Sequence, residues 1–195
     1  MAKKLAKVKI LLTGYFEWLG INKCRASSTV TLIKDNGKNI IVDTGSRTRQ
    51  KELLRALAKE GLKPQDIDYV VITHPHTDHL ENLGLFTKAI SLNIFEEKEG
   101  DIFLLSSGMQ KGQRKNLTPN VLLAATPGHT NECITALVKT ERGIVAVAGD
   151  LFVKRQIEKV AFVDDPKTYQ KSRAKIIKLA DYIIPGHGGE FEVKK

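Results

Sequence analysis

Thr73-His74-Pro75-His76-Thr77-Asp78-His79 packs three imidazoles and a carboxylate into the six positions 74–79. The stretch follows Tyr69-Val70-Val71-Ile72, consecutive apolar residues of the kind expected when both faces of a strand are covered, so a buried strand is read over Asp66 to Thr73. Alternate side chains of an extended segment share a side, which points His74 and His76 the same way. The turn after them can bring Asp78 and His79 to a neighbouring point. Two adjacent cation sites are sterically reasonable at this strand end.

Working outward toward the N-terminus, Val8 to Leu12, Thr29 to Ile33 and Asn39 to Val42 alternate apolar and polar residues and read as strands, with Asp35-Asn36-Gly37 as the turn between the last two. Ser46 can cap a helix over Arg47 to Glu60 that turns Leu53, Leu54, Leu57 and Ala58 inward and stops at Gly61. Toward the C-terminus, strands are expected at Ala89 to Asn93, Ile102 to Leu105, Val121 to Ala125, Ile134 to Lys139 and Ile144 to Ala148. Asp164 or Asp165 before Pro166 starts a helix to about Ala180, with Tyr169, Ile176, Ile177 and Ala180 inward. Tyr182 to Ile184 then returns as a strand into Pro185-Gly186-His187-Gly188-Gly189. Many strands with helices to cover them, and no repeat or linker, predict a layered α/β sandwich forming one domain over residues 1–195.

The formal charge of +9 favours anionic partners such as nucleic acid, phosphorylated metabolites or anionic lipid. Lys167, Lys171, Lys175 and Lys178 are spaced to share one face of the last helix, although any outer helix of a sandwich needs a solvated face. Aromatic residues make up 6% of the chain and form no evident stacking platform for single strands. The two cysteines, Cys24 and Cys133, cannot form a dense disulfide framework, so a reducing, cytoplasmic setting is expected. No apolar stretch approaches the roughly 20 residues of a membrane helix, and no membrane partner is expected.

The H-x-H-x-D-H pattern of residues 74–79 resembles the signature of the metallo-beta-lactamase superfamily. Other segments match that superfamily in order: Asp43-Thr44-Gly45 upstream, then Thr126-Pro127-Gly128-His129-Thr130, Gly149-Asp150 and Gly186-His187-Gly188. All five histidines of the chain fall on motif positions. The resemblance implies an αββα sandwich of two mixed β-sheets flanked by helices. It also implies that His74, His76 and His129 bind a first metal, that Asp78, His79 and His187 bind a second, and that Asp150 bridges ions roughly 3.5–4 Å apart. Such donors suit two divalent ions, zinc first, with iron or manganese as alternatives. Asp78 would double as the catalytic group that orients a metal-bridged hydroxide and carries its proton onward. Asp43 would hold the metal loop from behind, or serve only as a turn residue. Cys133, four residues after His129, is expected to be an inert buried thiol, and Thr130, Asn131, Lys154 and Arg155 lie near ligands in sequence.

The superfamily hosts many reactions, so the substrate needs separate signals. The site has no cysteine ligand, unlike the lactam-hydrolysing subgroup, which argues against penicillin hydrolysis. His76 stands where the flavo-diiron members have a glutamate. The compact chain is expected to lack the large insertion of the nuclease members and the C-terminal helical domain of glyoxalase II. The runs HTDHLENLGLF (76–86), ATPGHT (125–130), VAGDLF (147–152) and PGHGGEFEV (185–193) are similar to a compact branch of the superfamily linked to RNA cleavage. The leading expectation is therefore a metal-dependent hydrolase of an anionic phosphodiester, RNA first. The alternatives are a hydrolase of thioesters, esters or lactones of small metabolites, as in glyoxalase II, and a mononuclear-iron persulfide dioxygenase.

Overall fold

The computed structural model describes residues 4–105, 109, 114–155 and 162–194. Among them, one sheet orders β1 (Lys7–Leu12), β4 (Val30–Asp35), β5 (Lys38–Val42), β6 (Tyr69–Val71), β7 (Ile90–Leu92), β8 (Glu96–Glu99) and β9 (Ile102–Leu105). A second orders β10 (Arg114–Thr118), β11 (Val121–Ala125), β12 (Ile134–Thr140), β13 (Gly143–Val147), β14 (Tyr182–Ile184) and β15 (Phe191–Glu192). Separate from both, β2 (Tyr15–Gly20) and β3 (Lys23–Ser27) form a hairpin. Neighbours β5, β6 and β7 run parallel, as do β13 and β14, while the remaining pairs in the two large sheets are antiparallel; both sheets are mixed.

Strand alternation generates the layers. Ile40, Val42 and Val71 of the first sheet meet Ala136, Val138, Val145, Val147 and Ile184 of the second in a buried cluster. The intervening residues face outward. Ile41 and Val70 pack under Leu53 and Leu57 of α1 (Gln50–Lys59), and Leu137, Ala146 and Ile183 pack under Tyr169 and Ile176 of α3 (Pro166–Leu179). The order helix, sheet, sheet, helix is the αββα sandwich expected from the sequence. Leu53 and Leu57, both fully buried, each contribute about 1.5–3 kcal/mol by leaving water. No helix among the described residues is long and apolar enough to cross a membrane.

Several local expectations change. Ser46 does not cap a helix with its side chain; its hydroxyl donates to the Ala26 carbonyl, and the Arg47 N–H donates to Glu81 Oε2 at 2.7 Å. A 3-10 turn over Arg47–Arg49 precedes α1. Leu54, Ala58 and Ile177 face solvent, because an i, i+4 pair such as Leu53 and Leu57 defines the buried stripe and the next residue lies about 100° round the helix. Asp165 caps α3 as expected, accepting from the N–H groups of Lys167 and Thr168. The strand expected over Asp66 to Thr73 is trimmed to β6, since Pro64–Asp66 forms a 3-10 turn. The sequence reading assigned no strands to β2, β3, β8, β10 or β15.

Besides apolar packing, polar ties join the sheets, and a buried one centres on Asp35. Asp35, buried at the end of β4, accepts from Thr118 Oγ1 at 2.6 Å, Asn120 N at 3.0 Å and Asn120 Nδ2 at 2.8 Å across the sandwich. Deleting this acceptor strands buried donors in the second sheet, so Asp35→Ala is expected to lower stability by roughly 3 kcal/mol. Urea unfolding of the two proteins measures it; a loss under about 1 kcal/mol would show that the tie is dispensable.

Candidate metal centre

The parallel strands end on one edge of the sandwich, and the loops that leave them carry the polar residues. His74 and His76 follow β6, and the single turn α2 (Thr77–Leu80) supplies Asp78 and His79. His129 lies between β11 and β12, where Gly128 N donates to Thr130 O at 2.9 Å. Asp150 sits in a 3-10 turn over Gly149–Phe152 directly after β13, and His187 follows β14. Two glycines permit this convergence. Gly149 has φ +51°, and a Cβ there would lie 2.4 Å from Thr73 Oγ1; a Cβ on Gly186 would lie 1.9 Å from Asp150 Oδ1.

All seven residues expected as ligands come together, in two groups. His74, His76, His129 and Asp150 form one, and Asp78, His79 and His187 the other, each with its ligating atoms within 4.8 Å of one another. In the first, His76 Nδ1 is 2.9 Å from His74 Nε2 and 3.1 Å from His129 Nε2. The Asp150 carboxylate stands between the groups. Its Oδ2 is 3.3 Å from His187 Nε2, 3.5 Å from His129 Nε2 and 4.0 Å from His74 Nε2, while its Oδ1 is 3.2 Å from His187 Nε2 and 3.4 Å from His79 Nε2. Asp78 Oδ2 approaches the second group at 3.7 Å from His187 Nε2 and 3.9 Å from His79 Nε2.

The donor set fits divalent cations. Asp78 Oδ2, His79 Nε2 and Asp150 Oδ1 are buried without hydrogen-bond partners, an arrangement costing about 1–3 kcal/mol per group unless something else satisfies them. Burial, reinforced by the neighbouring imidazoles, holds His74 well below the ordinary histidine range and pushes His129 down to about 4, so both are neutral near pH 7, the state a metal requires. His79 behaves oppositely. Burial works to lower it, but the charges of Asp43 and then Asp150 outweigh burial and hold it well above the usual value. Burial also opposes ionisation of Asp150, yet His187 and His79 keep its carboxyl well below the usual range.

Groups behind the ligands fix their orientation. Asp43 Oδ1 accepts from the Thr73 N–H at 2.8 Å, and Oδ2 accepts from Thr73 Oγ1 and pairs with His79 Nδ1, both at 2.8 Å. With Nδ1 carrying the proton, Nε2 faces Asp150. The Asn82 side-chain amide donates to the carbonyls of Thr44, Gly45 and Ser46, which clamps the Asp43 loop to the segment after α2. His187 Nδ1 is held by the carbonyls of Tyr15 at 3.0 Å and Ser27 at 3.1 Å. The sequence reading missed this support from β2 and β3; the aromatic run Tyr15, Phe16, Trp18 was the available signal, whereas no side-chain pattern marks a carbonyl as a partner.

The remaining candidates separate cleanly. Cys133 is buried beside Thr130, which donates to its sulfur, and burial pushes the thiol up to about 11; it belongs to neither donor group. Lys154 Nζ donates to the Phe16 carbonyl at 2.5 Å, tying the hairpin down, while Asn131 and Arg155 are exposed. Asp43 has φ 57°, a conformation asparagine also tolerates, so Asp43→Asn separates the role of the carboxylate from backbone strain. The substitution is expected to weaken metal affinity about 10–100-fold in a competitive chelator titration; unchanged affinity would reduce Asp43 to a turn residue.

Residues 25–187 match the family model of the metallo-beta-lactamase superfamily. Metallo-beta-lactamase domain-containing protein 1 of Xenopus laevis is 37% identical over 199 residues, covering 96% of this chain and 82% of that protein. A probable metallo-hydrolase of Methanocaldococcus jannaschii is 32% identical over 154 residues, 77% of this chain and 71% of its own. Among solved structures, a Thermotoga maritima protein classed with the metallo-beta-lactamases superposes with a TM-score of 0.73 at 21% identity, covering 96% of this chain and 99% of that one. An N-acyl homoserine lactone hydrolase, with product at its catalytic metal centre, gives 0.67 at 17% identity over 96% and 94% of the two chains. By the family match and these relatives, the chain belongs to the metallo-beta-lactamase superfamily of metal-dependent hydrolases.

Proposed function

We propose that this protein hydrolyses phosphodiesters, RNA first, using two divalent cations, with zinc the best fit to the donors. His74, His76 and His129 would hold one, Asp78, His79 and His187 the other, and Asp150 would serve both. The observation that carries the proposal is the position of the Asp150 carboxylate between the two groups: Oδ1 lies 3.2 Å from His187 Nε2 and 3.4 Å from His79 Nε2, and Oδ2 lies 3.3 Å from His187 Nε2 and 3.5 Å from His129 Nε2. A pair of bound cations supplies a water of lowered pKa and neutralises charge on phosphoryl oxygens during in-line displacement.

The chain's own groups do the rest. Asp43 and the hairpin carbonyls keep His79 and His187 presenting Nε2 inward. The side chain of Asp78 is 22% exposed against 8% for Asp150, so it alone of these two carboxylates reaches both the buried donors and solvent. That position suits it to orient the attacking water and to carry its proton toward the leaving oxygen. The net charge of +9 agrees with an anionic substrate. A reducing, cytoplasmic setting belongs to the same proposal.

One feature favours a second reading, hydrolysis of a thioester or lactone. The Phe16 ring lies 5.8 Å from the His187 ring, and the half-exposed Trp18 meets Phe162 at 6.3 Å, so an apolar wall flanks the second donor group. Such a wall could receive an acyl chain. A mononuclear-iron dioxygenase would leave Asp78, His79 and His187 without a task, and that reading is not retained.

Incubating a mixed single-stranded RNA with the zinc-loaded protein, beside Asp78→Ala and a chelated sample, decides between them. Cleavage that disappears on chelation and falls at least about 100-fold in Asp78→Ala is expected. Intact RNA alongside turnover of a small thioester or lactone would move the assignment to the second reading.

A further inference from the structure

Three concavities on the surface share walls. One, of about 130 Å³, is bounded by His74, Pro75, Ile94, Phe95 and Glu132. The next, of about 270 Å³, shares Ile94 and adds Pro127, Asn131, Lys171 and Lys175. A third, of about 420 Å³, shares Lys171 and Lys175 and adds Lys178 and Arg114. Together they trace one groove, which starts beside the metal loop, passes the Pro127-to-Asn131 segment that carries His129, and continues along α3.

Charge is distributed unevenly along it. Among the described residues no carboxylate lines the second or third concavity, and Lys171, Lys175, Lys178 and Arg114 make no ion pair with a described residue. Lys171, Lys175 and Lys178 lie at i, i+4 and i+7 on α3, one stripe about 10 Å long. Arg114, at the start of β10, faces them from the other wall, whereas Lys167 of the same helix does not line the groove. The end nearest the metal centre differs. There Phe95 is 47% exposed among apolar neighbours, and Glu132, Asn93 and the buried His74 are the polar groups, a setting that accepts the face and edge of a base.

We propose that this groove binds single-stranded nucleic acid, with backbone phosphates on Lys171, Lys175, Lys178 and Arg114 and a base stacked on Phe95. The proposal rests on the phosphodiesterase reading and names its substrate track. A cationic strip followed by an aromatic platform is the combination single-strand binding uses: Coulombic attraction follows the backbone, and stacking tolerates any base. Because the strip adjoins the loop of His129, a strand held there is delivered to the metal centre rather than bound at a remote face.

Fluorescence anisotropy with a labelled 2′-O-methyl oligonucleotide and the full-length, zinc-loaded protein tests it. Four phosphate contacts give a log–log salt slope of about −3, and replacing three of them in K171Q/K175Q/K178Q should reduce its magnitude by about 2 and weaken binding at least tenfold in low salt. Phe95→Ala should weaken binding about tenfold at an unchanged slope. Thermal melts of the variants matching wild type would confirm that folding is intact. Wild-type affinity and slope in the triple variant would overturn the proposal, and so would polyglutamate competing as well as the oligonucleotide. Turnover of bis(p-nitrophenyl) phosphate by the wild type reports the phosphodiesterase reading separately: turnover with groove variants that bind normally removes the groove alone, and groove-dependent binding without turnover removes the chemistry alone.

Discussion

A carboxylate enclosed among imidazoles sets the terms for this structure. Asp150 is 6% exposed, its carboxylate stands between the two histidine groups with Oδ2 within 3.5 Å of a nitrogen from each, and Oδ1 has no hydrogen-bond donor. An ionised carboxylate in that position is costly unless cations surround it. The fold meets that demand from both sheets at once. The first contributes His74, His76, Asp78 and His79 at the end of β6, the second contributes His129, Asp150 and His187, and the packing of Val42 and Val71 against Val147 and Ile184 fixes the distance between them. Misplacing either sheet would leave half a site.

The hairpin β2–β3 is tied to the same constraint. It contributes no ligand, yet its carbonyls at Tyr15 and Ser27 determine which nitrogen of His187 faces Asp150, and Lys154 binds its backbone in turn. Asp43 does the equivalent for His79 from the first sheet. Each histidine of the second donor group is thus oriented by a partner lying outside that group, so the site's geometry is stored in hydrogen bonds that the ligand motif does not contain.

The ligand residues were legible because five histidines and their aspartates fall on one ordered pattern, and the layers were legible because Ile40-Ile41-Val42 and Val145-Ala146-Val147 can each serve two faces. What escaped had weaker local signals. Glu96 to Glu99 and Arg114 to Thr118 are too polar to announce strands and become so by pairing with neighbours, and Phe191–Glu192 is too short for any period to show. Ser46 looked like a helix cap because a serine before an apolar run usually is one, but the Ala26 carbonyl took its hydroxyl. The lysine row on α3 was visible in the sequence; that three of its members share a groove with Arg114 depends on how β10 packs beside the helix, which spacing does not encode.

The central claim is that one carboxylate serves two cations. Elemental analysis of protein purified after exposure to excess zinc and gel filtration measures it directly. Two zinc ions per chain in the wild type, falling to one or fewer in Asp150→Ala, is the predicted result. A single ion per wild-type chain, or two ions retained without Asp150, would contradict the account.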